Sequence, residues 1–223
     1  EVLSQLNNDD LLFVISDHGF DHFKWGVNLN TWLWQEGYLV LKEGTQPGKD
    51  WFVDVDWHKT KAYAFGLAGI FINTKGREIH GSIKPGKEKL ALLEEIKQKL
   101  ESLHDPLNNI SPINRVILAH ENLSGPYVQS GPDIFPGFIG GYRVSWNSAV
   151  GKITDDVIEP NTKRWSGDHC LDPALVPGVI FSNWQLNNEE TPALMDLAPT
   201  ILDIFGIPKP KFQDGKVLSI TKV

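Results

Sequence analysis

Residues 11–19 read LLFVISDHG, and this stretch says most about both the fold and the chemistry of the chain. The apolar run Leu11 to Ile15 predicts a short strand that is buried throughout. An acid and an imidazole, Asp17 and His18, follow where that strand should end. Ligand sites form at the carboxyl ends of strands in open α/β sheets, so these two side chains are the first candidates for function.

Asp17 and His18 bring together a carboxylate and an imidazole, two ligand types that suit zinc or another first-row divalent ion. Neighbours along a strand point to opposite faces, so both can reach one metal only if the backbone turns at that point. Gly19 permits such a turn. The pattern predicts either a metal site at the strand end or a polar strand end with no ion.

Patterns elsewhere alternate between helix and strand, which favours an α/β fold. Apolar residues on one helical face predict a helix over 87–103, and the apolar run 116–118 predicts a strand after it. Pro192 near the start and Gly206 just past the end predict a last helix between them. Residues 45–161 are rich in Gly, Pro and Trp, and we expect a cap-like lobe within them.

The composition excludes several classes of protein. The chain has 223 residues, 41% hydrophobic and 22% charged, as in an ordinary globular protein of one large or two small domains. Its net charge of -7 argues against a nucleic-acid duplex as partner. The single cysteine, Cys170, rules out an internal disulfide. No run approaches the ~18 apolar residues of a membrane span. The sequence does not indicate the cellular compartment of the protein.

His169 is the second candidate ligand, within the segment WSGDHC at 165–170. Gly167 lets the backbone approach closely, and Asp168 is placed to orient the imidazole. A hydrogen-bonded loop histidine is the alternative. Cys170 is either a soft ligand or a packing residue. Five further histidines are alternative metal ligands: His22, His58, His80, His104 and His120. Of these, His120 follows the predicted strand 116–118 and is a strand-end candidate.

Several familiar signatures are absent. Residues 44–50 resemble a phosphate-binding loop, but the glycine spacing is one residue short and no Ser or Thr follows the lysine. The chain has no Gly-x-Ser-x-Gly elbow and no His-Glu-x-x-His pair. A serine-triad hydrolase therefore has little support.

Six segments, taken in order, resemble the C-terminal half of an alkaline-phosphatase-superfamily enzyme, most nearly its type I phosphodiesterase/nucleotide pyrophosphatase group. The resemblance covers nearly the whole chain, although the Asp-His-Gly string also occurs in phosphatases, sulfatases and cofactor-independent phosphoglycerate mutases. The segments are 14–20, 27–30, 56–57 with 61–64, 140–146, 165–170 with 176–179, and 198–202.

This resemblance implies a three-layer sandwich around a central mixed sheet and a site with two divalent metal ions, usually zinc. It implies that Asp17 and His18 bind one ion and that His169 binds the other. Two such cations, about 3.5–4 Å apart, clamp the attacking and leaving oxygens of a phosphoryl transfer. The expected substrate is a small phosphorylated molecule, a nucleotide or another phosphodiester.

The resemblance also sets an expectation about what this chain lacks. The family places its Ser or Thr nucleophile and its remaining ligands upstream of the Asp-His-Gly strand. Only sixteen residues precede Asp17 here; they contain no Thr or His, and Ser4 stands in no motif. We therefore expect the C-terminal portion of a longer enzyme, inactive by itself, which holds metal weakly because zinc sites normally take three or four protein ligands.

Two other functions stay open at this level. The chain can be a non-catalytic module that self-associates or binds a partner, or part of a sulfatase or phosphomonoesterase of the same superfamily. Arg143 and Lys24 are candidates for contact with a phosphate. We leave both out of the predicted site, because such side chains are usually solvated.

Overall fold

The computed structural model describes residues 1–67, 69–187 and 191–222, and within them the chain is a mixed α/β protein. The strands are β1 (Phe13–His18), β2 (Asp21–Val27), β3 (Ala62–Phe65), β4 (Gly69–Ile72), β5 (Ile113–Leu118), β6 (Ile134–Phe138), β7 (Gly141–Val144), β8 (Ile158–Pro160), β9 (Gly167–Asp168), β10 (Pro177–Ser182), β11 (Gln185–Leu186) and β12 (Ile220–Thr221). The α-helices are α1 (Leu29–Gln35), α2 (Lys87–Glu101), α3 (Ala119–Asn122), α4 (Trp146–Ala149) and α5 (Leu197–Ile204).

The chain divides into two units. Unit 1 combines the two ends of the sequence, Glu1–Gly19 and Pro177–Val223, and unit 2 is the continuous stretch Phe20–Val176. The predicted lobe within 45–161 falls inside unit 2, and its role as a cap stays a prediction.

Unit 2 contains a mixed sheet built around β2. β7 runs parallel to β2 on one side, and β8 runs antiparallel to it on the other. The two-residue strand β9 also pairs with β2, which sets Asp21 opposite Asp168. This pairing ties the segment that precedes His169 to the start of a central strand.

The second sheet of unit 2 is antiparallel, in the order β3-β4-β6-β5. Helix α2 packs against β5 and β6, and its buried stripe includes Leu93, Ile96 and Leu100. The apolar periodicity therefore predicted both α2 and its packing face correctly. The strand expected at 116–118 is the second half of β5.

Unit 1 contains a two-stranded ribbon in which β1 pairs antiparallel with β10. The predicted burial of Leu11 to Ile15 is wrong, because Val14 is 53% exposed and Ile15 is 47% exposed. A ribbon gives each strand a single neighbour, and its two faces are covered only where other elements pack on both. Residues 13–15 of the apolar run do form strand, but the run does not form a core.

The last helix starts later than predicted. A single 3-10 turn at Leu194–Asp196 precedes α5, which begins at Leu197. The Asp196 carboxylate accepts the backbone N–H groups of Ala193 and Lys216, both at 2.9 Å, so it organises this end of the helix. Gly206 ends the helix as predicted, with a φ of 67°.

No helix in the described parts of the chain is both long enough and apolar enough to cross a bilayer.

A buried carboxylate in unit 2 makes the stability of the fold depend on pH. Asp105 is fully buried and accepts hydrogen bonds from the Tyr142 hydroxyl and the Asn108 amide, both at 2.6 Å, and from the Leu107 N–H at 2.8 Å. Burial raises the pKa of this carboxyl, but the hydrogen bonds outweigh burial and hold it below its ordinary 3.8.

We expect Asp105 to stabilise the fold above its unfolded pKa of 3.8 and to lose that contribution as the pH falls through the lower folded pKa. The unfolded state binds the proton more readily in this window, so stability rises with pH. Urea unfolding between about pH 5 and 3 should show a shallower slope for Asp105→Asn than for the wild type. Tyr142→Phe should shift the slope in the same direction; an unchanged slope in both variants would contradict the assignment.

Candidate metal centre

The first part of the candidate site is the pair Asp17 and His18 at the end of β1 in unit 1. Asp17 Oδ2 lies 3.5 Å from His18 Nε2. The Asp17 side chain is 66% exposed and that of His18 35%, and Asp17 lines a cavity of about 270 Å³. The backbone turn that we expected at Gly19 is not needed to bring these two side chains together. Both residues belong to β1, and the ends of their side chains still converge.

The hydrogen bond of His18 fixes which ring nitrogen can act as a ligand. Nδ1 lies 2.8 Å from the carbonyl oxygen of Gly19, and a carbonyl only accepts, so Nδ1 carries the proton. Nε2 lies on the side of the ring that faces Asp17, so it is the ring atom that a metal ion would use. A backbone carbonyl on one nitrogen of a histidine is the usual way to set the tautomer of a metal ligand.

Close packing of the ribbon holds this strand end in place. The Ser16 hydroxyl donates to the His18 carbonyl at 3.0 Å and accepts the N–H of Val179 at 3.3 Å. At Gly178, a Cβ would overlap the carbonyl oxygen of Ser16, so glycine is required for β10 to approach β1 this closely. The position of the strand-end pair therefore depends on a glycine in the opposite strand.

The second part of the candidate site is in unit 2, on the loop that leaves β9. Ligand atoms of Asp168, His169 and Cys170 lie within 4.8 Å of one another. His169 is 44% exposed, its Nδ1 is 3.7 Å from Asp168 Oδ1, and its ring is 6.1 Å from that of Phe20. The three side chains can hold a cation by geometry alone, and their other bonds decide which of them are suited to it.

Asp168 is already committed to other partners. Its Oδ1 accepts the backbone N–H groups of His169 and Cys170, at 2.8 and 3.0 Å. Its Oδ2 accepts the Trp165 indole N–H at 3.1 Å and lies 3.0 Å from the guanidinium of Arg143. Burial raises the pKa of Asp168, but bonds from Cys170 and His169 and the charge of Arg143 hold it below its ordinary value.

Cys170 is poorly prepared to bind metal. Burial, together with its hydrogen bond to Asp168, raises the pKa of the Cys170 thiol to about 12. The thiolate is the form that ligates zinc, so the neutral thiol must first lose its proton at high cost. Of the three side chains in this loop, the imidazole of His169 is therefore the one suited to an ion, and Asp168 serves to position it.

The sequence analysis missed the role of Arg143. We had expected a solvated side chain, but Arg143 is 1% exposed. Its guanidinium lies 4.2 Å from the centre of the Phe23 ring and 4.1 Å from that of Trp146. Arg143 is an internal partner of Asp168 and not a surface phosphate contact. The aromatic neighbours in the segment GYRVSW were the available signal.

The structure brings together Asp17 with His18 in unit 1, and His169 with Asp168 in unit 2. Whether all three predicted ligands serve one centre stays a prediction. The competing histidines have other contacts: His22 pairs with Asp21 at 2.6 Å, His104 lies 3.1 Å from Asn109, His58 and His80 face each other at 4.6 Å, and His120 lines a cavity of about 540 Å³.

Comparison with known proteins adds no relative. No family model, no curated protein and no solved structure matches this chain.

Proposed function

We propose that the chain contributes to the metal centre of an enzyme that hydrolyses phosphodiester or pyrophosphate bonds, of the alkaline phosphatase superfamily. In this proposal Asp17 and His18 hold one zinc ion and His169 holds a second. The mixed α/β fold is the C-terminal portion of a three-layer sandwich. The nucleophile and the remaining ligands come from residues outside these 223.

The geometry of His18 is the observation that carries the proposal. Its Nδ1 lies against the Gly19 carbonyl, and its Nε2 lies 3.5 Å from a carboxylate oxygen of Asp17. A cation between these two atoms would gain one carboxylate and one imidazole ligand. This donor set fits zinc, whose protein ligands include both carboxylate and imidazole.

The residues of this chain have distinct tasks in such a reaction. When bound, zinc supplies Lewis acidity that favours attack on phosphorus and stabilises the leaving oxygen. Asp17 adds negative charge to one ion site, and the Gly19 carbonyl orients the His18 ring through Nδ1. Asp168 positions the His169 backbone through its N–H. Hydrogen bonds from Cys170 and His169, together with the charge of Arg143, lower the pKa of Asp168.

Zinc binding by the chain itself is the direct test. We expect weak but saturable zinc binding by equilibrium dialysis, reduced at least about tenfold in Asp17→Asn, which removes an anionic ligand. His104→Ala, which removes an exposed histidine outside the site, is the matched control. Binding that persists in Asp17→Asn and in His18→Ala would overturn the assignment.

Activity tests the rest of the proposal. The chain alone should not hydrolyse a chromogenic phosphodiester, because it lacks a nucleophile. The longer protein should hold about two zinc ions, lose one in His169→Ala and prefer the diester over a phosphomonoester. A preference for the monoester or for a sulfate ester would favour another branch of the superfamily.

A second candidate function, a non-catalytic module that self-associates, is favoured by the exposed apolar side chains of unit 1. The ribbon and α5 both present such residues to solvent: Val14, Ile15, Val179, Phe181, Ile201, Ile204 and Phe205. Large exposed apolar patches mark interaction surfaces. Sedimentation equilibrium distinguishes this function from the proposed hydrolase. A dimer that forms without zinc and is lost in Phe181→Ser would support a self-associating module.

A further inference from the structure

Two exposed histidines of unit 2, His58 and His80, face each other, and we call them the histidine pair. Their ring centres are 4.6 Å apart, and their ring planes are tilted by 45°. Because both residues are exposed, an ion in solvent can reach them. Neither residue belongs to the candidate metal centre.

The histidine pair lies at one end of the antiparallel hairpin formed by β3 and β4. His58 is in the loop that precedes β3, and His80 is in the loop that follows β4. The first residue of β3 pairs with the last residue of β4, so both loops leave the same end of the hairpin. An ion bound by both rings would therefore join two separate loops.

A buried amide holds both of these loops. Asn73 is fully buried, and its Nδ2 donates to the carbonyls of Trp57 and His80, at 2.7 and 3.2 Å. Trp57 is the residue before His58, so one side chain fixes the backbone on both sides of the histidine pair. The loops cannot move apart without breaking buried hydrogen bonds, which is costly.

Two further contacts hold the loop of His80 in place. The Ser82 hydroxyl donates to the carbonyl of Thr60 at 2.6 Å. At Gly81, a Cβ would overlap the backbone of Thr74, so glycine is required for this loop to pass so close to the end of β4. Ligands that are positioned before an ion arrives lose little conformational freedom when it binds.

The imidazole nitrogens of the histidine pair are available to a ligand. Within residues 1–67, 69–187 and 191–222, neither ring of the pair makes a hydrogen bond or an ion pair. Imidazole is the commonest side-chain ligand of transition metals. In the same parts of the chain, no carboxylate or thiol joins the pair as a third ligand, so water would fill the other positions around an ion.

The separation of the rings agrees with two ligands on one ion. Bonds from a metal to imidazole nitrogen are about 2.0–2.1 Å long. Two such bonds at a right angle place the ring centres roughly 4.5 Å apart, and a tetrahedral angle places them roughly 5.2 Å apart. The observed 4.6 Å agrees with the right angle, which is the angle between neighbouring ligands in a tetragonal copper(II) site.

The number of ligands also favours copper(II). Among the divalent first-row metals, copper(II) binds nitrogen ligands most tightly. Zinc sites normally take three or four protein ligands, so two histidines hold zinc only weakly. The histidine pair therefore favours copper(II), whereas the candidate metal centre is proposed to hold zinc.

The charged side chains of both loops compensate each other. Lys59 Nζ lies 3.5 Å from Asp56 Oδ2, and Arg77 Nε lies 2.6 Å from Glu78 Oε1. Each of these cations has a carboxylate beside it, so their repulsion of a bound metal ion is reduced.

We propose that the histidine pair binds a copper(II) ion, with both imidazoles as ligands. The ion ties the loop before β3 to the loop after β4 and stabilises this end of the hairpin. This site is separate from the proposed hydrolysis and uses none of its ligands.

Copper(II) itself is the probe for this proposal. One equivalent added to the full chain should give a pulsed-EPR spectrum with the combination lines of two imidazoles on one ion. His58→Ala and His80→Ala should each remove these lines, and His18→Ala should keep them. A spectrum of a single imidazole in the wild type would overturn the proposal. Loss of the lines in His18→Ala would instead assign the copper to the candidate metal centre.

The affinity for copper(II), measured by competition with a chelator, gives a second test. His58→Ala and His80→Ala should each weaken binding at least about tenfold, since even the loss of a partner of a metal ligand costs about that much. His104→Ala removes an exposed histidine outside the pair and should bind copper(II) like the wild type. Urea unfolding without copper should be unchanged in all three variants, which excludes a folding defect. Equal losses of affinity in the three variants would show adventitious binding and overturn the proposal.

Discussion

Arg143→Met should destabilise the chain by about 3–5 kcal/mol, the scale of breaking one partner out of a buried ion pair. Methionine keeps much of the volume between Phe23 and Trp146, so loss of packing contributes little. The large effect comes from Asp168, whose side chain is 9% exposed and loses its arginine partner. A buried carboxylate without that positive charge must either stay charged at higher cost or take up a proton.

Urea unfolding followed by tryptophan fluorescence measures this loss, and a double variant separates its causes. Arg143→Met combined with Asp168→Asn removes both charges and should recover part of the stability lost in Arg143→Met alone. Lys222→Met breaks the exposed pair with Asp9 and should change stability only slightly. A loss for Arg143→Met no larger than that for Lys222→Met would contradict the interpretation of Arg143 as an internal ion-pair partner.

Gly178→Ala should open the ribbon that carries Asp17 and His18. The added methyl group overlaps the backbone oxygen of Ser16, and a backbone atom cannot move aside as the end of a side chain can. Overpacking of this kind costs about 1–3 kcal/mol. Amide hydrogen exchange in β1 and β10 should accelerate about 5- to 150-fold, which corresponds to that cost at 1.4 kcal/mol per factor of ten.

The same variant tests the link between packing and metal binding. Under the proposed function, zinc affinity should fall in Gly178→Ala even though no ligand is changed. Gly131→Ala is the matched control, because a Cβ there makes only one ordinary contact, at 3.8 Å from the Val128 carbonyl oxygen. Faster exchange with unchanged zinc binding would show that the ribbon does not organise the metal site.

Local periodicity was enough to predict helix α2 and the second half of strand β5 in unit 2. Both are encoded by contiguous apolar patterns, and both form where predicted. The burial of β1 was not predictable in this way, because an apolar run specifies extended backbone but not the number of neighbours that cover it. The start of α5 was also wrong, because Asp196 bonds to Lys216, a partner distant in sequence.

In the candidate site, too, local motifs indicated some residues, whereas other contacts depend on the fold. Asp17, His18 and His169 were proposed as ligands from motifs, and their roles as ligands stay predictions. The sequence did not show that Asp168 and Arg143 form a buried pair, because that contact depends on the pairing of β9 with β2 and the parallel alignment of β7 beside it. The contact of His18 Nδ1 with the Gly19 carbonyl likewise depends on backbone geometry that no motif encodes.

The pairing of β1 with β10 cannot form until late in the synthesis of the chain. Ile15 pairs with Ile180, so β1 leaves the ribosome long before its partner exists. At about 5–20 residues per second, the strand waits roughly 10–30 s with an unpaired edge and exposed valine and isoleucine side chains. During that interval β1 is a target for chaperones and for pairing with β1 of a neighbouring nascent chain. Slower translation should therefore increase aggregation of this protein rather than relieve it.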